Sequence, residues 1–377
     1  MSALFLYGTL RHRPLVEALT GGTGGALVRE AVLRGHRVVR QRDAPWPALV
    51  RDPRGEARGV VWTDLPPEAR ERLDGFEIPF GYEPETTIVE VEGRRLEAKA
   101  YMPPGDLEVS DEDWSLDRWI AAEGEAVMRI AREIAAHEPP LAGDPLRRQW
   151  AMIAHRAHAT LRAAEAPTTL RHRAEAGDFA LVPARPLEGQ FFKLAGLEVS
   201  HRRFDGGRNE GLPREVMVGA DASLVLPYDE ARDRVLLVEQ FRPGPARRGD
   251  PQPWVLEPVA GLVDAGETPE EAAIREAEEE AGLKLTELER MYAGYASPGN
   301  ATDHFFAYLA LCDLPDGFAT TGGLAEEHED LRLHVLPFGK AMALVESGEA
   351  NAVPLISMML WLDRWRARRR SGGLSPA

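Results

Sequence analysis

Residues 261–283, GLVDAGETPEEAAIREAEEEAGL, carry seven glutamates between two helix-end signals, and no other stretch restricts the fold as strongly. Thr268 suits an N-cap, Pro269 the first helical position, and Glu271 completes a capping box with acidic groups near the positive end. Gly282 can end the helix. At 3.6 residues per turn Glu276, Glu279 and Glu280 share one face, while Ala272, Ala273 and Ala277 offer a small apolar face for packing. Each like-charge pair at this spacing costs about 0.2–0.5 kcal/mol on an exposed helix, and more once partly buried. Arg275 alone cannot neutralise that face. A divalent cation can, and an all-oxygen ligand set favours Mg²⁺ over zinc. The alternative, for an arbitrary glutamate run, is a solvated charged helix.

The spacing argues against that alternative. Gly261, Glu267 and the run Arg275 to Leu283 fit all nine fixed positions of G-x5-E-x7-R-E-U-x-E-E-x-G-U, where U is aliphatic and Ala277 is the loosest match. This pattern resembles the signature of the Nudix hydrolases, which cleave a nucleoside diphosphate linked to another moiety. The resemblance implies Mg²⁺ as cofactor, with Mn²⁺ as the alternative.

A chain of 377 residues exceeds a typical single domain, so two are expected, and 44% hydrophobic residues can supply a core for each. A net charge of −16 argues against nucleic acid or an anionic membrane as partner, because phosphate-rich surfaces reward cationic faces. The single cysteine, Cys312, sits in the apolar run YLALCDL and reads as a structural thiol in a reducing compartment. No run of about 18 apolar residues and no signal-peptide pattern is found, so the expectation is a cytoplasmic protein.

Short apolar strands alternate with turn signals through the first hundred residues: ALFLYG, ARGVVWTDL, TTIVEVEG and LEAKAYM. Residues 115–137 and 145–166 then carry apolar positions at helical spacing, separated by the breaker EPPLAGDP, and 167–185 is poorly patterned. Strands return from 190 onward, with a hairpin ASLVLPYDEARDRVLLVEQF and a strand WVLEPVAG leading into the acidic helix. The end is helical, and its RWRARRR tail is expected to be solvated charge compensating the helix dipole. The expected division is 1–110, a helical extension and linker at 111–185, and a second domain at 186–370.

Over residues 186–366 the chain is similar to one Nudix branch, the bacterial ADP-ribose pyrophosphatases. The resemblance implies an α/β/α sandwich with a mixed sheet, a homodimer, and hydrolysis of a nucleotide sugar, ADP-ribose to AMP and ribose 5-phosphate. It puts metal ligation on the Ala260 carbonyl, Glu276, Glu279, Glu280 and Glu329. The general base falls on Glu327 in GLAEEHEDLRLHVL. Substrate contacts fall on Arg214 and Glu215 in LPRE, Arg242 in VEQFR, Leu262, and Ser297, Pro298, Gly299 and Asp303 in SPGNATDH. Phe191 falls where an aromatic stacks on adenine, and is equally an ordinary core phenylalanine by pattern. Arg275 reads as a group that orients the carboxylates. SPGNATDH departs from the family, with Asn300 in place of a glycine and Asp303 in place of a longer acid, so GDP-mannose or another nucleotide sugar stays open. So does a non-hydrolytic ADP-ribose sensor.

The first half resembles the gamma-glutamylcyclotransferase-like proteins through LFLYGTLR, PALV, ARGVVW, LDGFEIPFGYE, TTIVEV and AKAYM. That implies a mixed β-barrel with helices. It implies a carboxylate cradle on the backbone of Tyr7, Gly8, Thr9 and Leu10, with close approach at Gly8. The acid/base carboxylate falls on Glu77, and Tyr82 shapes the pocket. An interaction or sensing module on the same fold is the alternative.

Overall fold

The computed structural model describes residues 3–164, 168–324 and 329–371. The chain forms two compact units that divide between Arg214 and Glu215. Among the described residues no helix is long and apolar enough to cross a membrane.

The first unit is built on β1 (Ala3–Leu6), β2 (Leu27–Gln41), β3 (Pro47–Thr63), β4 (Glu83–Val91), β5 (Arg94–Met102) and β6 (Val109–Asp113). The order β3-β1-β5-β4-β2, with β2 pairing back onto β3, closes a five-stranded barrel, and β6 pairs with β2. β1 and β5 run parallel; the other barrel pairs are antiparallel. Phe5, Val61, Val89 and Ala100 fill one core, and β1 alternates so that Leu4 and Leu6 face a second one. That second core is roofed by α1 (Arg13–Thr20), α2 (Pro67–Glu77), α3 (Leu116–Ala135) and α4 (Gly143–Ala163). Both helices expected in the extension are therefore present, and the apolar stripe of α3, Trp119, Val127, Ile130 and Ile134, lies in this core. The expected strands are found, but the fifteen residues of β2 were not anticipated. Their pattern EAVLRGHRVVR puts arginines on the solvent side of a hairpin bulged between Arg34 and His36.

Three more strands, β7 (Phe179–Pro183), β8 (Lys193–Arg202) and β9 (Arg208–Val218), form a separate sheet in that order.

The second unit holds an eight-stranded mixed sheet: β10 (Ala222–Asp229), β11 (Arg234–Phe241), β12 (Trp254–Glu257), β13 (Val259–Leu262), β14 (Glu289–Tyr295), β15 (His304–Leu311), β16 (Thr321–Gly322) and β17 (Leu331–Pro337). β10 and β11 form the expected hairpin, and β10 pairs parallel with β15. Alternation along β10 and β11 makes two cores. Leu224, Leu226, Val235 and Leu237 meet α7 (Phe338–Ser347) and α8 (Val353–Arg370). Val225, Leu236 and Val238 meet Ala273, Ala277 and Ala281 of α6 (Pro269–Ala281), which makes the unit an α/β/α sandwich. A short α5 (Pro243–Arg248) follows β11.

The arginine-rich end of α8 differs from expectation at one position. Arg366 is only 7% exposed: its guanidinium lies 3.6 Å from the Phe338 ring centroid, donates to Tyr228 Oη at 3.0 Å and pairs with Asp233. Arg369 stacks on Trp365 and pairs with Glu230.

Candidate active sites

On α6 the capping box forms as the sequence dictates: Thr268 Oγ1 accepts from Glu271 N at 3.2 Å, and Glu271 Oε2 accepts from Thr268 N at 2.8 Å. The buried alanines Ala272, Ala273 and Ala277 seat the helix on the sheet, and Glu276 and Glu280 lie against β13. Gly261 is required there. A Cβ at that position would fall 1.9 Å from Glu276 Oε1, so a carboxylate occupies the space a side chain would need.

Arg275 clamps the cluster. Its guanidinium donates to Glu267 at 3.0 and 3.1 Å, to Glu276 at 2.6 Å, to Glu279 at 2.9 Å and to the Leu262 carbonyl at 3.0 Å. Glu280 is 3% exposed, and its carboxylate accepts one hydrogen bond among the described residues, from Ala260 N at 3.3 Å. Burial pushes the Glu276 carboxyl up to about 7, against the opposing pull of Arg275, with Glu279 and Glu329 adding to the rise. Burial pushes Glu280 up to about 8, and Glu276 and Glu329 raise it further. Among the described residues no three acidic, histidine or cysteine side chains already stand as a ready-made cation cage. The reason is visible in the bonds: Arg275 holds Glu276 and Glu279, and Glu280 leans on the backbone. The donor set nevertheless suits a hard cation, since buried oxygens of one sign with raised pKa values are short of positive charge.

The other anticipated residues of this unit are dispersed around the same sheet. Arg242, at the end of β11, donates to Glu257 at 2.6 Å, and its charge counters the rise at Glu280. Ser297, Pro298 and Gly299 are exposed; Ser297 Oγ bonds the Asn300 side chain, so the asparagine substituted for glycine braces the loop. Asp303 is half-buried, and burial with the nearby Asp221 raises its pKa. Glu215 is exposed. Glu327 lies outside the described residues. Phe191 and Arg214 belong to the first unit. Phe191 is 52% exposed, which excludes the core reading, and it packs edge-on to Phe192 at 4.9 Å. Arg214 is exposed and donates to the Pro213 carbonyl.

The first unit encloses a cavity of about 550 Å³ against the barrel, and Tyr7, Gly8, Thr9, Leu10, Glu77 and Tyr82 all line it. Gly8 is needed because Pro47 of PALV packs against it: a Cβ would lie 2.6 Å from the proline Cγ. Tyr82 Oη donates to the Pro47 carbonyl at 2.9 Å and accepts from Gln41 Nε2 at 2.8 Å, which fixes its ring in the wall. Tyr7 Oη donates to the Tyr101 carbonyl at 2.6 Å. Burial alone pushes the Glu77 carboxyl up to about 7, and it forms no hydrogen bond or ion pair among the described residues. Such a group can both accept and return a proton near neutral pH. Sequence reasoning missed the aromatic wall of this cavity, Trp46, Phe76, Phe80 and Trp150, because its members come from three segments far apart in the chain.

Comparison with known proteins agrees with both halves. The NUDIX domain model matches residues 219–356, and the model for gamma-glutamyl cyclotransferase, AIG2-like, matches residues 4–116. The ADP-ribose pyrophosphatase of Haemophilus influenzae is 34% identical over 189 residues, which span 49% of this chain and 86% of that protein. That of Escherichia coli K12 is 34% identical over 190 residues, 49% of this chain and 88% of its own. The GDP-mannose pyrophosphatase of Yersinia enterocolitica is 34% identical over 146 residues, covering 38% and 74%. A crystal structure described as an ADP compounds hydrolase aligns at 19% identity with a TM-score of 0.41, over 54% of this chain and 100% of that one. With its acidic face on α6 and relatives matched along most of their own length, the chain belongs to the Nudix hydrolases and carries an AIG2-like gamma-glutamyl cyclotransferase domain ahead of the Nudix domain.

Proposed function

We propose that the Nudix domain hydrolyses the diphosphate of ADP-ribose, giving AMP and ribose 5-phosphate, in a Mg²⁺-dependent reaction. The observation that carries this reading is the carboxylate pair of half-buried Glu276 and buried Glu280, both with raised pKa values, Glu276 held by Arg275 and Glu280 by the Ala260 backbone. The Ala260 carbonyl, Glu276, Glu279, Glu280 and Glu329 would hold the cation; Mn²⁺ suits the same oxygens. When bound, it supplies charge neutralisation and Lewis acidity at the diphosphate. The chain's own groups do the rest. Arg242 offers a guanidinium fork for phosphate oxygens beside Glu280. In this reading Glu215, Leu262, Ser297, Pro298 and Gly299 contact the substrate, and Glu327 accepts the proton of the attacking water. Asp303, shorter than the family's acid and raised in pKa, bears on the distal sugar, so GDP-mannose is the close competitor. A screen of nucleotide sugars with Mg²⁺, reading AMP and GMP, tests this. Release of GMP alone would replace the substrate, and binding of ADP-ribose without release of AMP would make the domain a sensor.

We infer a cytoplasmic homodimer in which the strand-rich segment Gln190 to Phe204 serves the partner. Exposed Phe191 and Phe192 before β8 support that assembly. Light scattering showing a fully active monomer would exclude it.

A second reading is carried by the unpaired Glu77 in its cavity: the first domain is a gamma-glutamyl cyclotransferase. The α-amine nitrogen of a gamma-glutamyl compound attacks its own γ-carbonyl, forming the lactam C–N bond as the original amide C–N bond breaks. Glu77 takes the proton from the amine and returns it to the departing nitrogen. 5-oxoproline and a free amine result, with no co-reactant.

A further inference from the structure

The cavity of the first domain is not made by the barrel alone. Trp150 and Arg147 of α4 also line it, and both lie beyond residues 4–116, the region matched by the cyclotransferase family. The helix is built into the wall. Gly75, in the LDGFE motif of α2, leaves room for Ala142 at the start of α4, where a Cβ on the glycine would lie 2.8 Å from the alanine Cβ. The Trp150 ring meets Phe80 at 4.9 Å, Phe76 at 6.0 Å and Trp46 at 6.2 Å, all edge-on, so one indole closes an aromatic box. Arg147 stands one turn before it, exposed, with no hydrogen bond or ion pair among the described residues. Glu77 and Arg147 are the only charged residues among those lining the cavity.

Charge matching then narrows the ligand. A gamma-glutamyl derivative of an α-amino acid carries one ammonium and two carboxylates. On the cyclotransferase reading, on which this inference rests, Glu77 faces the ammonium and the backbone of residues 7–10 takes the glutamyl carboxylate. One carboxylate and one side chain remain, and one cation and one aromatic box remain. We propose that Trp150 and Arg147 select gamma-glutamyl derivatives of bulky apolar or aromatic α-amino acids, the box holding the side chain and the guanidinium pairing with the carboxylate. The plain amine derivatives, which lack that carboxylate, are the poorer ligands.

The test uses the full chain with γ-Glu-Phe, γ-Glu-Phe amide and γ-Glu-Ala as probes, measuring calorimetric affinity and 5-oxoproline release. Wild type should favour γ-Glu-Phe over its amide by about twofold to fivefold, the range for a solvent-exposed ion pair, and over γ-Glu-Ala by about tenfold or more. Arg147→Gln should erase the difference between acid and amide and leave the preference for phenylalanine over alanine. Trp150→Ala, with Trp150→Phe as the variant that keeps the wall filled, should do the reverse. Release of 5-oxoproline with Arg147→Gln still separating acid from amide would overturn the proposal and leave the cyclotransferase reading standing. Selective, Arg147-dependent binding without any 5-oxoproline would uphold the selectivity and remove the reaction. Absence of both binding and turnover for all three probes would overturn both.

Discussion

Replacing Glu77 with glutamine should change how the stability of the first unit depends on pH. In the folded chain the carboxyl is pushed up to about 7 from an ordinary 4.5, with burial as the cause. Below pH 4.5 the group is neutral in both the folded and unfolded states and costs nothing. Between pH 4.5 and about 7 the unfolded chain releases its proton while the folded chain keeps it, so stability falls across this interval, and it levels off once the folded group has ionised. At about 1.36 kcal/mol per pH unit, the interval from 4.5 to about 7 corresponds to about 3 kcal/mol lost between pH 4.5 and 8. Glu77→Gln keeps the volume and lacks the titration, so the difference between wild type and variant should open by about that amount over this window, the variant being the more stable at pH 8. Urea unfolding followed by tryptophan fluorescence suits the measurement, because five of the eight tryptophans, Trp46, Trp62, Trp114, Trp119 and Trp150, lie in the first unit. A difference that stays flat from pH 5 to 8 would refute the desolvated carboxyl, and with it the acid/base role of Glu77.

Gly261→Ala places a methyl where Glu276 Oε1 now lies, so Mg²⁺ affinity and AMP release should fall by at least tenfold while the chain still folds; normal Mg²⁺ titration curves would show that the carboxylate is not needed there. Glu280→Gln should abolish hydrolysis without unfolding the chain, read by circular dichroism beside activity, and near-normal turnover at saturating Mg²⁺ would remove Glu280 from the ligand set. Glu327→Gln should leave ADP-ribose affinity unchanged and lower turnover by about two orders of magnitude or more, whereas Glu77→Gln should alter neither; loss of binding together with turnover would make Glu327 a ligand and Glu329 the candidate base. Arg366→Met should destabilise the second unit by about 1 kcal/mol in thermal unfolding, since it removes the pair with Asp233 and the bond to Tyr228 Oη, which still bond each other, and replaces the cation over Phe338 by an apolar chain; an unchanged midpoint would show the pair contributes nothing.

What the sequence determined by itself is local or periodic. The caps of α6, its three seating alanines and its acidic face follow from residue type at 3.6-residue spacing, and the structure reproduces each of them. The barrel strands and the β10–β11 hairpin follow from alternation, and the family patterns located Glu77 and the lining backbone at residues 7–10. Tertiary structure decided what depends on neighbours far apart in the chain. Nothing local marks Arg366 as buried while Arg369 and Arg370 stay exposed; the ring of Phe338 and the carboxylate of Asp233 select it. Arg275 reads as an orienting group in sequence, but only folding brings the Leu262 carbonyl and Glu267 within reach of its fork. Trp150 and Arg147 read as ordinary positions on an amphipathic helix. They enter the first domain's cavity only because Gly75 allows α4 to pack closely on α2, and a contact of that kind is set by the space left at one distant residue, which no periodicity records.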